Sequence, residues 1–354
     1  MQDKIKVHIV DDAASVRIVL TDILENDPAI KVIAASADPI IAERALEKEW
    51  PDVFILDVEM PNKDGITFLK EIMAKRPTPV VMCSFLTVKG AKVTMDAMAA
   101  GAVEVIAKPE VGQKDFFYES ASMLIDVVKS ASRANVKMLL KGSITSSAQP
   151  LSADAVLSPW DGHKITVSTD KIIAIGSSAG GVQALEHIFS KLPESLPGIV
   201  LVQHMPEKFT GALAERLNET SAVSVKEAED GDHIVSGKAF VAPGNRHMLI
   251  DRTGDNYRIV IKDGPLVTRH RPSVDVLFRS VAKTAGKNAI GIILTGMGDD
   301  GAAGLLEMKN AGSNTIAQNE ETCVVFGMPF EAIKRGAADK VLPLQDIPDQ
   351  MIRF

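Results

Sequence analysis

Ile172-Ile173-Ala174-Ile175-Gly176-Ser177-Ser178-Ala179-Gly180-Gly181 is the stretch from which the fold is read. A short β-branched run that ends in small residues predicts a buried strand turning sharply into a helix. Gly176-x-Ser178-x-Gly180 has the spacing of a nucleophile elbow, which holds a serine up at the C-terminal end of its strand with little bulk around it. Ser177 is the rival hydroxyl, but the place between the two glycines favours Ser178. The same run also fits a glycine-rich turn that only cradles a phosphate or only packs tightly.

Two later runs bear on that choice. Gly198-Ile199-Val200-Leu201-Val202 reads as a second buried strand, ending at Gln203-His204-Met205-Pro206. Ala289-Ile290-Gly291-Ile292-Ile293-Leu294 reads as a third, followed by Thr295-Gly296-Met297-Gly298-Asp299-Asp300-Gly301. A strand-end histidine within reach of Ser178 can act as its base, and an aspartate from the glycine loop can orient that histidine. Taken singly, His204 also fits a packed sheet-edge histidine, and the glycine loop also fits a Mg²⁺ or phosphate site. Ser, His and Asp delivered by three strand ends of one parallel sheet favour a hydrolase. Their chain order, Ser178, His204, Asp300, is not the Ser, Asp, His order of α/β-hydrolases, which excludes that fold.

The first half alternates strands with helices. Lys6 to Val10, Val53 to Leu56, Pro79 to Cys83 and Val103 to Ile106 are strand-like, with helical patterns around Val16 to Leu24 and Ile40 to Lys48. That alternation predicts a parallel sheet with functional residues at the carboxyl ends of its strands. Asp11, Asp12, Asp57, Ser84 and Lys108 all fall there. Converging carboxylates repel one another unless a cation joins them, and oxygen-only ligands suit a hard ion such as Mg²⁺. A lysine and a hydroxyl beside them suit a phosphoryl group.

Composition sets the outer limits. At 354 residues the chain is long enough for two or more domains, and 46% hydrophobic with 24% charged residues supports ordinary globular cores. A net charge of -7 argues against a mainly electrostatic nucleic-acid binder. Cys83 and Cys323 lie far apart without metal-ligand spacing and are expected to pack as small hydrophobes in a reducing compartment. No apolar run has the length of a membrane span, and the first residues do not read as a signal peptide, so a cytoplasmic protein is expected. Leu124 to Leu140 has helical spacing through Val127, Val128, Val136 and Leu139, and Gly142 to about Ser168 has linker composition, with Trp160 placed to pin its far end.

Ile9-Val10-Asp11-Asp12, Leu56-Asp57-Val58-Glu59-Met60-Pro61-x-x-Asp64-Gly65, Ser84 and Lys108-Pro109 resemble the response-regulator receiver domain over about the first 120 residues. The resemblance implies Asp57 as phosphoacceptor, Asp11, Asp12 and Asp57 with the Glu59 backbone carbonyl as the Mg²⁺ site, and Ser84 and Lys108 as phosphoryl-binding residues. Val105 stands where receivers often carry an aromatic switch residue, which argues against signalling by an aromatic swing.

The second half resembles the chemotaxis protein-glutamate methylesterase family over roughly residues 168 to 345. The elbow, the Gln203 to Pro206 run and the Leu294 to Gly301 loop carry the resemblance. So do Ala242-Pro243-Gly244-x-x-His247-Met248, Arg269-His270-Arg271-Pro272-Ser273-Val274-Asp275-Val276-Leu277-Phe278 and Ala317-Gln318-Asn319-Glu320. It implies Ser178 as nucleophile, His204 as general base and acid, Asp300 as orienting carboxylate, and the Met297 backbone N–H as an oxyanion donor. Elbow mechanics adds the Ala179 N–H. Asp299 stands where the family more often has asparagine and is expected to point to solvent; His247 and His270 read as substrate-side or structural residues.

The fold class that follows is α/β: a flavodoxin-like (βα)₅ receiver at 1–124, a helix extension and linker at 125–167, and a doubly wound, mostly parallel, Rossmann-like catalytic domain at 168–354. The implied activity is demethylation of glutamate γ-methyl esters and deamidation of certain glutamines on the cytoplasmic bundle of a chemoreceptor. A chemotaxis histidine kinase would be the phosphodonor, with Mg²⁺ in the receiver and no cofactor for ester cleavage. No nucleic-acid partner and no membrane insertion are implied. The receiver would occlude Ser178 until Asp57 is phosphorylated, and Arg269 and Arg271 would meet the receptor's acidic surface. The alternative is a response regulator with a non-catalytic output module whose glycine loops hold a nucleotide. The lack of a lysine after the glycine run and of full G-x-G-x-x-G spacing counts against it.

Overall fold

The structure is a computed structural model that describes residues 4–61, 63–84, 88–108, 114–134, 151–159, 171–254 and 256–354. The chain divides into two compact units, Met1–Lys141 and Gly142–Phe354. Among the described residues no helix is long and apolar enough to cross a membrane.

The first unit runs β1 (Ile5–Val10), α1 (Ala14–Glu25), β2 (Ile30–Ser36), α2 (Pro39–Leu46), β3 (Val53–Asp57), α3 (Gly65–Lys75), β4 (Val80–Ser84), α4 (Val88–Ala99), β5 (Glu104–Ala107) and α5 (Lys114–Ala131). Its five strands are parallel in the order β2-β1-β3-β4-β5, the flavodoxin-like arrangement. Strands buried on both faces read as continuous apolar runs, and Val53–Asp57 is buried throughout. Asp38 and Asp64 cap α2 and α3 through the N–H groups of Ile41 and Thr67. The strand β2 was not among the runs named above, because Lys31 and the small Ala34, Ala35 and Ser36 dilute its apolar pattern.

The helix expected from Leu124 to Leu140 stops at Ala131. There the Arg133 and Ala134 N–H groups bond three residues back, and the Ser132 hydroxyl bonds the Lys129 carbonyl, so local side-chain bonding closes the last turn. Val136, Leu139, Pro109 and Trp160 lie outside the described residues.

The second unit contains β6 (Ile172–Ser177), α6 (Gly181–Phe189), β7 (Gly198–Gln203), α7 (Phe209–Thr220), β8 (Ser224–Glu227), β9 (His233–Ile234), β10 (Lys238–Val241), β11 (His247–Thr253) and β12 (Asn256–Lys262). It continues through α8 (Val274–Thr284), β13 (Ala289–Ile293), α9 (Ala302–Asn310), β14 (Asn314–Gln318), α10 (Met328–Lys334), β15 (Lys340–Leu342) and α11 (Ile347–Arg353). Seven parallel strands are ordered β15-β14-β13-β6-β7-β10-β8, and β11, β12 and β9 form a separate antiparallel sheet. From β6 the chain builds outward through β7 on one side and returns through β13 on the other. The crevice of a doubly wound sheet opens at such a reversal, here between the carboxyl ends of β6 and β13.

The helix α6 buries Val182, Leu185, Ile188 and Phe189, positions three and four apart that form one face. Val274, Leu277, Phe278 and Val281 of α8 join Ile172, Val200, Met248 and Ile259 in a single core cluster that fixes the antiparallel sheet to the parallel one. Residues 151–159, which have linker composition, are packed into this unit: Ala153–Ala155 forms a 3₁₀ turn whose Ala153 is buried against Leu249, Val267 and Val276.

Candidate functional site

At the carboxyl edge of the first sheet, β1 leads into Asp11 and Asp12, β3 ends in Asp57, β4 ends in Ser84 and β5 leads into Lys108. Strand order reverses between β1 and β3, which makes Asp11 and Asp57 neighbours. Lys108 Nζ stands 2.9 Å from Asp11 Oδ2 and 2.7 Å from Asp57 Oδ2, with all three side chains nearly sealed from solvent. Burial pushes the Asp57 carboxyl up to about 6, against the Lys108 hydrogen bond and charge that pull it down; the Asp11 charge adds to the rise. Asp12 is exposed at the mouth.

One carboxylate oxygen from each of Asp11, Asp12 and Asp57 lies within 4.8 Å of the others. This all-oxygen set fits a hard divalent cation. The Glu59 N–H donates to Asp57 Oδ1 at 3.3 Å. A Cβ on Gly65 would stand 1.9 Å from the Asp57 carbonyl oxygen, so only glycine lets α3 start this close to the acidic site.

In the second unit Ser178 follows β6 directly. The elbow closes through Gly181 N–H to the Ser178 carbonyl at 2.7 Å, with Gly180 at φ +75°. The Ser178 N–H donates to the Thr295 carbonyl at 3.0 Å. By contrast, the Ala179 and Met297 N–H groups donate to no protein acceptor among the described residues. The Thr295 hydroxyl donates to the Ala179 carbonyl at 2.9 Å and accepts from Val324 and Val325 N–H, tying the elbow to the glycine loop. Gln203 ties it to β7: its amide nitrogen donates to the Ser178 and His204 carbonyls, and its amide oxygen accepts from Ser177 Oγ at 2.7 Å. Ser177 is therefore committed to a buried bond.

Parallel register pairs Ser177 with Gln203, and the His204 N–H donates to the Ser177 carbonyl at 3.0 Å. His204 thus leaves β7 where Ser178 leaves β6. Its Nε2 lies 2.7 Å from Asp300 Oδ2, and its buried Nδ1 has no partner among the described residues. Asp300 is fully buried and accepts three more bonds, from the Ser273 hydroxyl, the Val274 N–H and the Asp275 N–H, at 2.7, 2.7 and 3.0 Å. These donors are the N-cap and first two residues of α8, so the carboxylate sits on a helix N-terminus, where backbone dipoles favour an anion. Burial alone would raise the Asp300 carboxyl, but the hydrogen bond and charge of His204 and the Asp275 N–H bring it below its ordinary value. Asp275 goes the other way: burial and then the Asp300 charge push it up to about 8.

The remaining sequence candidates separate clearly. His270 stacks on His204, ring centroids 3.7 Å apart and planes 5° from parallel. Its Nδ1 is 2.7 Å from the Thr268 carbonyl, which makes Nδ1 the protonated nitrogen. Burial, then the His204 charge, drives it down to about 3, so it is neutral. His247 is a buried strut between the Pro265 carbonyl and the Ser273 N–H. Asp299 does not simply face solvent: Arg335 Nη2 lies 3.0 Å from its Oδ2. Arg271 is held by Asn245 Oδ1 and the Gly264 carbonyl. Cys83 and Cys323 are both buried.

The CheB methylesterase family matches residues 173–351, and the response regulator receiver domain family matches residues 7–115. The chain is 57% identical over 347 residues to protein-glutamate methylesterase/protein-glutamine glutaminase 2 of Pseudomonas syringae pv. tomato, covering 97% of each chain. It is 56% identical over 342 residues to the protein of the same name from Xanthomonas campestris pv. campestris, covering 95% of this chain and 96% of that one. The chain belongs to the protein-glutamate methylesterase/protein-glutamine glutaminase family. The second unit is also similar to the catalytic domain of the Thermotoga maritima CheB methylesterase, with 42% identity and a TM-score of 0.51 over 52% of this chain and 98% of that one.

Within this methylesterase family member, sequence reasoning named Asp300 but missed what holds it. A serine directly ahead of the apolar-periodic Val274-Asp275-Val276-Leu277-Phe278 is an N-cap signal that marks Ser273. The stacking of His270 on His204 had no sequence signal, because it depends on a loop returning from the antiparallel sheet. A non-catalytic, nucleotide-holding output module is not favoured, since the methylesterase family matches residues 173–351 of the second unit.

Proposed function

We propose that this chain is a phosphorylation-regulated serine hydrolase of the cytoplasm that demethylates glutamate γ-methyl esters, and deamidates certain glutamines, on chemoreceptors. The observation that carries this reading is the His204 imidazole: Nε2 is bonded to a buried, helix-anchored Asp300, and Nδ1, at the strand end beside Ser178, has no partner among the described residues.

Ser178 Oγ attacks the ester carbonyl carbon and its proton passes to His204 Nδ1. Asp300 holds the ring orientation and stabilises the imidazolium that forms. The Ala179 and Met297 N–H groups, which have no acceptor among the described residues, meet the oxyanion of the tetrahedral intermediate. His204 returns the proton to the leaving methoxide, so methanol departs and Ser178 carries the acyl group. Water then attacks that acyl carbon and gives its proton to His204, which passes it to Ser178 Oγ as the acyl–oxygen bond breaks, releasing the glutamate side chain and restoring the serine hydroxyl. For glutamine the same steps expel ammonia.

In the receiver, Asp57 accepts the phosphoryl group from a histidine kinase, and Lys108 and Ser84 hold it. Asp11, Asp12, Asp57 and the Glu59 carbonyl would hold Mg²⁺, which supplies charge neutralisation for phosphoryl transfer when bound. Methanol release from methylated receptor membranes tests the whole reading. Wild type is expected to release methanol, more so with acetyl phosphate and Mg²⁺; Ser178→Ala releases none, and Asp57→Ala loses only the stimulation. Equal release by wild type and Ser178→Ala refutes the esterase assignment.

A further inference from the structure

Residues 151–159 take no part in the chemistry above, yet they are bound into the catalytic unit. Ala153 is buried with Leu249, Val267 and Val276, and Val156 and Leu157 pack against the same cluster. Arg279 of α8 clamps the segment: its guanidinium donates to Asp154 Oδ1 at 2.6 Å and the Leu157 carbonyl at 2.7 Å while it also grips Glu307 of α9. One turn further on, Lys283 reaches the Ser158 carbonyl and hydroxyl. At the other end, the Leu151 carbonyl accepts the Thr268 N–H at 2.7 Å.

That last bond lands on an unusual turn. Val267 and His270 exchange N–H···O bonds at 3.0 and 2.8 Å, and the two residues between them, Thr268 and Arg269, have φ +49° and +67°. Two successive positive φ values make a type I′ turn, which Asn-Gly adopts readily and a β-branched threonine does not. Strain of this kind persists only where the surroundings over-determine it. Here the restraints converge on Thr268: the Leu151 carbonyl on its N–H, Asp275 Oδ2 at 3.3 Å from its hydroxyl, and His270 Nδ1 at 2.7 Å from its carbonyl. The turn delivers His270 onto the face of His204.

We propose that residues 151–159 are a positioning strap: clamped by Arg279, the strap's Leu151 carbonyl locks the Thr268–Arg269 turn, which seats His270 on His204 and fixes the plane in which Nδ1 moves its proton. This rests on the reading of His204 as the general base. The strap touches no substrate. It acts through two rings and one turn, and so it sets kcat and leaves KM alone.

Two variants of the full-length chain test it. Ala153→Asp puts a carboxylate into the small cluster and releases the strap, and Asp154→Ala removes one half-exposed carboxylate from the Arg279 clamp. For each, kcat and KM for methanol release, protease cleavage within 151–159 and the melting of the catalytic unit are measured together, with Ser178→Ala as blank. Ala153→Asp is expected to become cleavable there and to lose about ten- to a hundredfold in kcat at unchanged KM, with the unit still folded. Asp154→Ala is expected to lose about two- to fivefold, the worth of a half-exposed ion pair, with Asp154→Glu restoring it. A released strap with wild-type kcat overturns the proposal, as does a kcat loss that only tracks loss of folded protein. Should Ala153→Asp not fold, the Asp154 pair decides alone. Wild type releasing no more methanol than Ser178→Ala would instead refute the esterase reading beneath it.

Discussion

His204 meets Asp300 through Nε2, at 2.7 Å from Oδ2, which leaves the buried Nδ1 without a partner among the described residues. The familiar serine-protease triad uses the two nitrogens the other way round. The reversal is consistent with where the groups come from. The histidine leaves a strand end beside the serine, whereas the carboxylate is fixed from outside the sheet, by the N-terminus of α8. Asp300 therefore owes its position to a helix start as much as to its histidine.

Asp300→Asn is expected to lower kcat on the order of 10³- to 10⁴-fold. Each carboxylate oxygen accepts two bonds, Oδ1 from the Ser273 hydroxyl and Asp275 N–H, Oδ2 from Val274 N–H and His204 Nε2. An amide –NH₂ in either place faces a backbone donor, so no flip rescues it. The same mismatch is expected to lower stability by about 1–3 kcal/mol. Steady-state methanol release and denaturant unfolding check both; a near-wild-type kcat would rule out the orienting role.

Ser273→Ala removes one of Asp300's donors and the side-chain cap of α8 in a single step. The cap is worth about 1 kcal/mol, and the bond to a carboxylate brings the expected loss to about 1–3 kcal/mol. Because three donors remain on Asp300, kcat should fall far less than in Asp300→Asn. A stability loss with no change at all in kcat would show that the hydroxyl caps the helix without restraining the carboxylate.

Much of this architecture is legible in the chain, and what is not has a physical reason. Continuous apolar runs expose β6, β7 and β13 because strands buried on both faces need no polar alternation. Strand-end residues then fall at the sheet's carboxyl edge by topology alone, which brings Ser178, His204 and Asp300 to one crevice. The three-stranded sheet of β9, β11 and β12 was not foreseen, since β9 is only two residues long and the β11–β12 hairpin inserts between β10 and α8 without disturbing the parallel pattern. The strap was misjudged for a similar reason. Its Ser, Ala and Pro look like linker text, and only the tertiary contacts of Ala153 and Asp154 order it.

Asp275→Asn should flatten a pH dependence. The folded carboxyl, at about 8, stands above the 3.8 of an ordinary aspartate. The folded state thus holds this proton more tightly, so the stability it contributes is full at low pH and is lost as pH rises through about 8. The melting temperature of the wild-type catalytic unit is expected to fall as pH rises from about 4 to about 8 and to level off above that. In Asp275→Asn it should fall less, because an amide accepts from Gly304 N–H as the native group does and never ionises. Parallel slopes in the two proteins would place the lost proton elsewhere.

Gly180→Ala separates two reasons for a glycine at the elbow. An added Cβ would stand 2.4 Å from Val324 Cβ and 2.6 Å from its Cγ2, and the residue sits at φ +75°. The substitution is expected to abolish methanol release and lower the melting temperature, because the elbow moves away from the Thr295 tether that also binds Val324. Val324→Ala should not rescue it, since the nearest clashing atom is a Cβ that alanine keeps. Val324→Gly removes that atom, so the double variant should recover part of the activity. What remains lost is the left-handed backbone penalty of about 1–2 kcal/mol for a residue with a Cβ. Rescue by Val324→Ala as complete as by Val324→Gly would place the clash at the γ carbons and refute this ordering.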